Sequence, residues 1–495
     1  MKILFVNPSL RLNHPYKILP VGLAMVMTYI EKNGYEFDLY DIDINDISND
    51  EVDKFIQNNH YDIILFGTIV THYKWVKWFC KKIKIYHPDT KIIVGNSVSG
   101  SCIDVFMKNV PADFAVIGEG EITLLELLNA LEKNKDIRNI EGISYRDKDG
   151  YKVNDKRKAT KRIDEFPMVN WDYFDFEKYR LKKTSLIDDE DEGDMSFPVN
   201  TARGCAFRCS FCHFVFWDDP YRHRSPDSIL DEVERNMEKY GTTTISFWDD
   251  LSFAGLNQVE TLCKRIIERK IEFRWSCATR TDLFGRPDRS KSKREDIAKL
   301  MKDAGCHSTG YALESGDEEI LKMMNKKVNK EYFIEQVDIL RKVGIKSLTS
   351  VVFGYPIETK ETIRKTFDMC EENQMYPSIG YLLPLPYTGM YDYAIENGFI
   401  TDEDAFLDSI TERQDLCLNM TKMSNQEITD EIIKGAERLN IKLDLKFSKD
   451  KLIKTGGYKK VRDSVNEGRR IKRNENDFSF NYSNTTFDEA TNPKV

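Results

Sequence analysis

One stretch limits what the rest of this chain can be. Thr201-Ala-Arg-Gly-Cys205-Ala-Phe-Arg-Cys209-Ser-Phe-Cys212 carries three cysteines, spaced by three residues and then two. An apolar run, Phe197–Asn200, leads in, and Gly204 allows a tight turn. The segment therefore reads as a strand ending in a loop that wraps its thiols around one object. Clustered thiolates in an intracellular chain usually hold a metal. Iron–sulfur clusters usually take four thiolates. Three on a four-iron cubane leave one iron open to chelate a small molecule, which predicts chemistry as well as electron transfer. The competing reading is a zinc site completed by His213. Adjacent residues such as Cys212 and His213 seldom reach one tetrahedral ion together, and zinc sites usually pair two separated knuckles.

The CxxxCxxC spacing, with Phe211 just before the last cysteine, resembles the radical S-adenosylmethionine (SAM) superfamily. The resemblance implies a [4Fe-4S] cluster on Cys205, Cys209 and Cys212. Its open iron would bind SAM, and one electron would cleave SAM to methionine and a 5′-deoxyadenosyl radical. Phe211 would lie under the adenine or pack in the core.

The first 130 residues alternate short apolar runs (Lys2–Val6, Phe37–Ile42, Ile63–Gly67, Ile92–Gly95, Phe114–Gly118) with helical patterns. That predicts a doubly wound parallel sheet, with ligands bound beyond the carboxyl ends of its strands. Asn7-Pro8, Pro20-Val-Gly22-Leu-Ala24, Val94-Gly95 and Gly118-Glu119-Gly120-Glu121 resemble the cobalamin-binding domain that precedes many radical SAM barrels. Asn7, Gly95, Asn96 and Gly118 would then contact cobalamin. The family's Gly-Gly is Gly95-Asn96 here, a change expected to crowd the nucleotide tail. The Asp-x-His-x-x-Gly motif is also absent, since Leu12 and Lys17 flank His14 where Asp and Gly are needed. Cobalt is therefore expected to have no protein ligand. The alternative is a sheet that has lost its ligand and only packs on the barrel.

Residues 136–195 read as a connector, with a hairpin turning at Asp149-Gly150 and a solvated acidic run at 188–194. From 196 to 400 six strand–helix units fit the partial (β/α)6 barrel of the superfamily, whose strands carry chemistry at their carboxyl ends. After the second barrel strand, Asp249 and Asp250 stand where the family meets the amino group of SAM. Carboxylates suit an ammonium through charge-assisted hydrogen bonds. One of the two acids is instead a possible helix cap. After the third, Arg280 is equally suited to a phosphate, a carboxylate or a structural ion pair. After the fourth, Glu314-Ser315-Gly316 resembles the segment that touches the SAM ribose and carboxylate. Gly354-Tyr-Pro-Ile-Glu358-Thr359 and Pro384–Gly389 read as turns and caps. The region 401–495 reads as helical to about Leu445, then basic at 459–473, with a disordered tail from 474.

The fold class is thus α/β: an N-terminal doubly wound, flavodoxin-like domain (1–135), the connector (136–195), the barrel (196–400) and a helical C-terminal region. A net charge of −9 argues against a nucleic-acid surface. The longest apolar stretch, Ile18–Ile30, is too short to span a bilayer. The other seven cysteines show no disulfide spacing, which fits a reducing cytoplasm. The resemblance implies cobalamin-dependent methylation of an unactivated carbon in a small-molecule substrate, with an electron donor such as flavodoxin or ferredoxin. Cobalamin-assisted rearrangement or cyclisation, and a non-catalytic metal-binding regulatory module, are the rivals.

Overall fold

The computed structural model describes residues 1–10, 17–181, 196–213, 219–411 and 413–453. His14, the acidic run 188–194 and the segments 459–473 and 474–495 lie outside the described residues.

Five parallel strands build the N-terminal sheet: β1 (Ile3–Asn7), β2 (Asp38–Asp41), β3 (Ile63–Gly67), β4 (Lys91–Gly95) and β5 (Phe114–Val116), in the order β2-β1-β3-β4-β5. The inner runs are apolar at every position because both faces are covered. Side chains alternate between two cores, as a period of two requires. Ile3, Phe5, Ile63 and Leu65 join a core that continues into barrel residues Phe197 and Val199. Leu4, Val6, Ile64 and Phe66 join a second core that takes in Leu407 and Ile410 of the C-terminal region. The strand order reverses between β1 and β3, which opens a crevice at the carboxyl ends.

The hairpin expected in the connector is present but belongs to this sheet. β6 (Ile143–Asp147) and β7 (Gly150–Val153) add antiparallel to β5, with Tyr145 opposite Phe114. The sheet therefore runs past the expected boundary at residue 135. The hairpin covers what would otherwise be an open edge at β5, and it buries Ile143 and Tyr145 in doing so.

The barrel begins at β8 (Ser196–Val199). Two very short strands, β9 (Ala202–Arg203) and β10 (Arg222–His223), pair antiparallel across the two ends of the cysteine loop. Then come β11 (Thr244–Phe247), β12 (Arg274–Ala278), β13 (Cys306–Gly310), β14 (Lys346–Leu348), β15 (Ser350–Phe353) and β16 (Ser378–Tyr381). All are parallel, in the order β14-β13-β12-β11-β8, followed by a break at Thr349 and the pair β15-β16. A bridge between Glu314 and Val351 spans the break.

The C-terminal helices clamp the assembly. In the helix Glu403–Ser409, Asp404 accepts hydrogen bonds from the Tyr73 hydroxyl (2.7 Å) and the Lys77 ammonium (2.6 Å) of the N-terminal domain. The helix Asn425–Lys442 packs on Lys360–Glu372, where Gly435 lies against the Phe367 ring and Arg364 meets Glu431 at 2.6 Å. Among the described residues no helix is long and apolar enough to cross a membrane.

Candidate active site between two sets of strand ends

The cysteine loop is pinned on several sides before any ligand is considered. Gly204 turns the chain at φ +84°, and a Cβ there would stand 2.7 Å from the Pro220 carbonyl oxygen. Ser210 donates through its amide to Met324 O (2.8 Å) and through its hydroxyl to Met323 O (2.8 Å). Its carbonyl accepts from the Met390 amide at 2.9 Å. His213 Nδ1 lies 2.7 Å from Pro386 O, so this ring nitrogen is turned to a backbone carbonyl rather than toward the thiols. Phe207 stacks under the Arg280 guanidinium at 3.7 Å. Arg280 itself is held by Asp282 through two hydrogen bonds of 2.6 and 2.8 Å, the structural ion pair among the expected alternatives.

Cys205, Cys209 and Cys212 are free thiols. Cys205 and Cys209 are half-buried and Cys212 is exposed. Desolvation, then Cys209, Asp250 and Cys205, push the Cys212 thiol up to about 12. Desolvation also raises Cys209, with the Lys326 ammonium pulling the other way. The thiols are thus close enough to feel one another. Yet among the described residues no trio of Cys, His, Asp or Glu is arranged around a single ion. Three thiols on one loop are the donor set of a four-iron cluster that leaves one iron open.

The two neighbouring aspartates separate cleanly. Asp249 is fully engaged. Its Oδ1 accepts from the Thr201 amide (2.9 Å), the Ala202 amide (3.1 Å) and Asn200 Nδ2 (3.1 Å), and its Oδ2 accepts from the Thr201 hydroxyl (2.6 Å). It fastens the end of β8 to the end of β11. Asp250 has no hydrogen-bond or ion-pair partner among the described residues. It is exposed and close enough to Cys212 to act on that thiol, and desolvation followed by the Asp249 charge raises it to about 6.

Glu314 is buried, with φ +64°, and accepts from Lys326 Nζ at 2.9 Å. Desolvation works against the Lys326 charge, but Glu314 and Cys209 outweigh it and hold the ammonium above its ordinary range. The same ammonium lies 6.0 Å from the Phe211 ring, which meets Tyr355 edge-on. Ser315 is turned away. Its hydroxyl accepts from the Asp317 amide (3.1 Å) and lies 3.4 Å from the Thr366 hydroxyl. Thr359 and Thr388 cap the helices that follow them, as expected for turns. Lys326 escaped the sequence reading because it follows Glu314 by twelve residues and an intervening helix.

At the N-terminal sheet, Asn7 points inward, donating to Asp41 at 2.8 Å. Gly95 ends β4, where an added Cβ would touch Val116 at an ordinary 3.9 Å. Asn96 adopts φ +66°, ψ −166°, a conformation usually left to glycine. Its Oδ1 folds back to accept from the Ser97 amide at 2.6 Å, so the side chain is drawn onto its own helix instead of crowding the crevice. Gly118 has φ +81°. These backbones permit the close approach a nucleotide tail needs.

The two sets of strand ends meet directly. Glu119 accepts from both Arg222 (2.8 and 3.1 Å) and pairs with Arg203 (3.3 Å), while Glu121 meets Arg203 at 2.6 Å. Both glutamates stand in a segment quoted for its glycines, and both arginines flank the cysteine loop. Those flanking charges are the signal that could have found the contact.

Comparison with known proteins agrees with this architecture. The family model described as the radical SAM superfamily matches residues 199–370, and that described as the B12 binding domain matches residues 10–128. An uncharacterized methyltransferase of Pyrococcus horikoshii is 26% identical over 77% of this chain and 79% of its own. An anaerobic magnesium-protoporphyrin IX monomethyl ester cyclase of Rubrivivax gelatinosus is 25% identical over 79% of this chain and 69% of its own. The radical S-adenosylmethionine methyltransferase TsrM of Kitasatospora setae, solved with cobalamin and a [4Fe-4S] cluster, shares the fold. It aligns at a TM-score of 0.62 and 19% identity, over 80% of this chain and 78% of that one.

Proposed function

We propose that the chain is a radical SAM enzyme carrying a B12-binding domain, as its two matched family models support, and that it methylates an unactivated carbon of a small-molecule substrate. The observation that carries the reading is the direct contact between the strand ends of the B12-type sheet and the ends of the cysteine loop. When bound, the cluster, SAM and methylcobalamin supply the hard chemistry: reductive SAM cleavage to an adenosyl radical, hydrogen removal from carbon, and delivery of a methyl group. Cys205, Cys209 and Cys212 hold the cluster. Asp250 offers the SAM ammonium a free carboxylate. Glu314 and Lys326 present one acceptor and one cation to the polar groups of SAM, beside the apolar wall of Phe211 and Tyr355. Asp249 keeps β8 and β11 in register beneath the loop. Gly95, Asn96 and Gly118 stand at the strand ends where the cobalamin tail would lie, with Lys156 passing over Gly118. An external one-electron donor, a flavodoxin or ferredoxin, completes the reading.

Cyclisation without methyl transfer is the second reading, favoured by the cyclase relative. One experiment covers both. The anaerobically reconstituted protein is given cobalamin, a strong reductant and SAM labelled in its methyl group. Iron with acid-labile sulfide, 5′-deoxyadenosine and labelled methylcobalamin are the expected findings, all lost in the triple Cys→Ala variant. Zinc without sulfide would sink the enzyme reading. Deoxyadenosine without methylcobalamin would favour cyclisation.

A further inference from the structure

The cysteine loop leaves and re-enters the barrel through a ribbon of two residues a side, in which Arg203 stands directly opposite Arg222. Like charges placed opposite each other in an antiparallel pair repel. Here both guanidiniums are buried, at 13% and 6% exposure, and the charges that neutralise them come from the other domain. Glu119 bridges the two arginines and Glu121 takes the outer face of Arg203. A third tie lies alongside: Lys156 passes over Gly118 and meets Asp219, at the exit of the loop, at 2.9 Å.

Adhesion between the domains does not require these charges. A continuous apolar core already runs from Phe5 and Leu65 to Phe197 and Val199. Buried ion networks contribute little net stability compared with apolar packing, and their best-attested use is to fix a register. The register fixed here is that of a ribbon ending two residues from Cys205, against a segment starting at Gly118. That segment follows β5 at the carboxyl end of the sheet, and its two acids grip the ends of the loop.

We propose that Glu119 and Glu121 are positioning residues that set the cysteine loop at a fixed separation and orientation from the crevice of the N-terminal sheet, so that the two cofactors face one substrate. The inference rests on the reading of the three cysteines as cluster ligands and of the crevice as the cobalamin site. It assigns the Gly-Glu-Gly-Glu acids a role in the geometry of the loop rather than in binding a cofactor.

The test uses the full chain, reconstituted anaerobically with cluster and cobalamin, as wild type, Glu119→Gln, Glu121→Gln, Glu119→Asp and Glu121→Asp. The readouts are iron and sulfide content, cobalamin uptake, melting temperature, and the magnetic coupling between cobalt(II) and the reduced cluster by electron paramagnetic resonance. The glutamine variants are expected to keep both cofactors while the coupling weakens or broadens, at a lowered melting temperature because each leaves a buried guanidinium short of a charged partner. The aspartate variants keep the charge at shorter reach and should recover part of the wild-type spectrum. If the glutamine variants do not fold, the aspartate pair decides alone: a shifted coupling supports the proposal and a wild-type spectrum overturns it. Parallel loss of iron, cobalamin and melting temperature in all four variants would mark the network as structural and overturn it too. A wild type without acid-labile sulfide would sink the cluster reading itself, whereas an intact cluster with unmoved coupling would sink only this inference.

Discussion

Asp249 and Asp250 stand side by side in sequence and do different work. Asp249 accepts four hydrogen bonds from Asn200, Thr201 and Ala202, whereas Asp250 accepts none among the described residues and lies beside Cys212. Replacing Asp249 with Asn puts an amide N–H against donors and weakens bonds to a charged acceptor, each worth about 1.5–3 kcal/mol. Asp249→Asn is therefore expected to lower the melting temperature and the iron loading of the reconstituted protein. Asp250→Asn should leave both unchanged and weaken SAM binding roughly ten- to a hundredfold. Equilibrium binding of SAM to the two variants checks this, and the reverse pattern would exchange the two roles. Sequence reasoning treated the acids as a pair because position after a barrel strand identifies the strand end but not which carboxylate its neighbours occupy. The cysteines were legible because spacing alone brings three thiols together. Ser315 was placed correctly at a strand end, yet its hydroxyl is claimed by Asp317, a local bond no family pattern announces.

At the scale of elements, the parallel strands were the most legible feature, since a strand buried on both faces is a short apolar run bounded by polar turns. The hairpin was legible too, but not its partner. The turn falls one residue earlier than expected, at Lys148-Asp149 with Gly150 already in β7; it sets the register between β6 and β7 and says nothing of β5, which is distant in sequence. Helix packing adds a check of magnitude. Gly435 lies in the middle of the helix Asn425–Lys442, where Ala is favoured over Gly by about 1 kcal/mol. A Cβ at that position would stand 2.2 Å from a carbon of the buried Phe367 ring. Overpacking costs about 1–3 kcal/mol, so the clash outweighs the propensity. Gly435→Ala is expected to destabilise the protein in urea unfolding despite the better helix former. A gain in stability would show that the ring yields.

Across the whole molecule, the C-terminal helix Glu403–Ser409 holds the N-terminal domain through Asp404, which Tyr73 and Lys77 both reach. Asp404→Ala removes two bonds to a charged acceptor. Amide exchange in Glu403–Ser409 should then quicken by about tenfold or more, with the barrel strands unaffected. Unchanged exchange would show that Leu407 and Ile410 suffice to dock the helix. The charges between the domains carry a different consequence, for recombination. The two family models divide this chain into portable modules, but the balance of charge does not follow that division. The barrel alone would bury Arg203 and Arg222 without acids, and the N-terminal sheet alone would carry two acids with no bases. A chimera joining this barrel to a foreign cobalamin domain therefore needs carboxylates at the positions of Glu119 and Glu121, or apolar residues in place of both arginines. The seam at which the two halves can be exchanged lies inside the ion network, not in the linker.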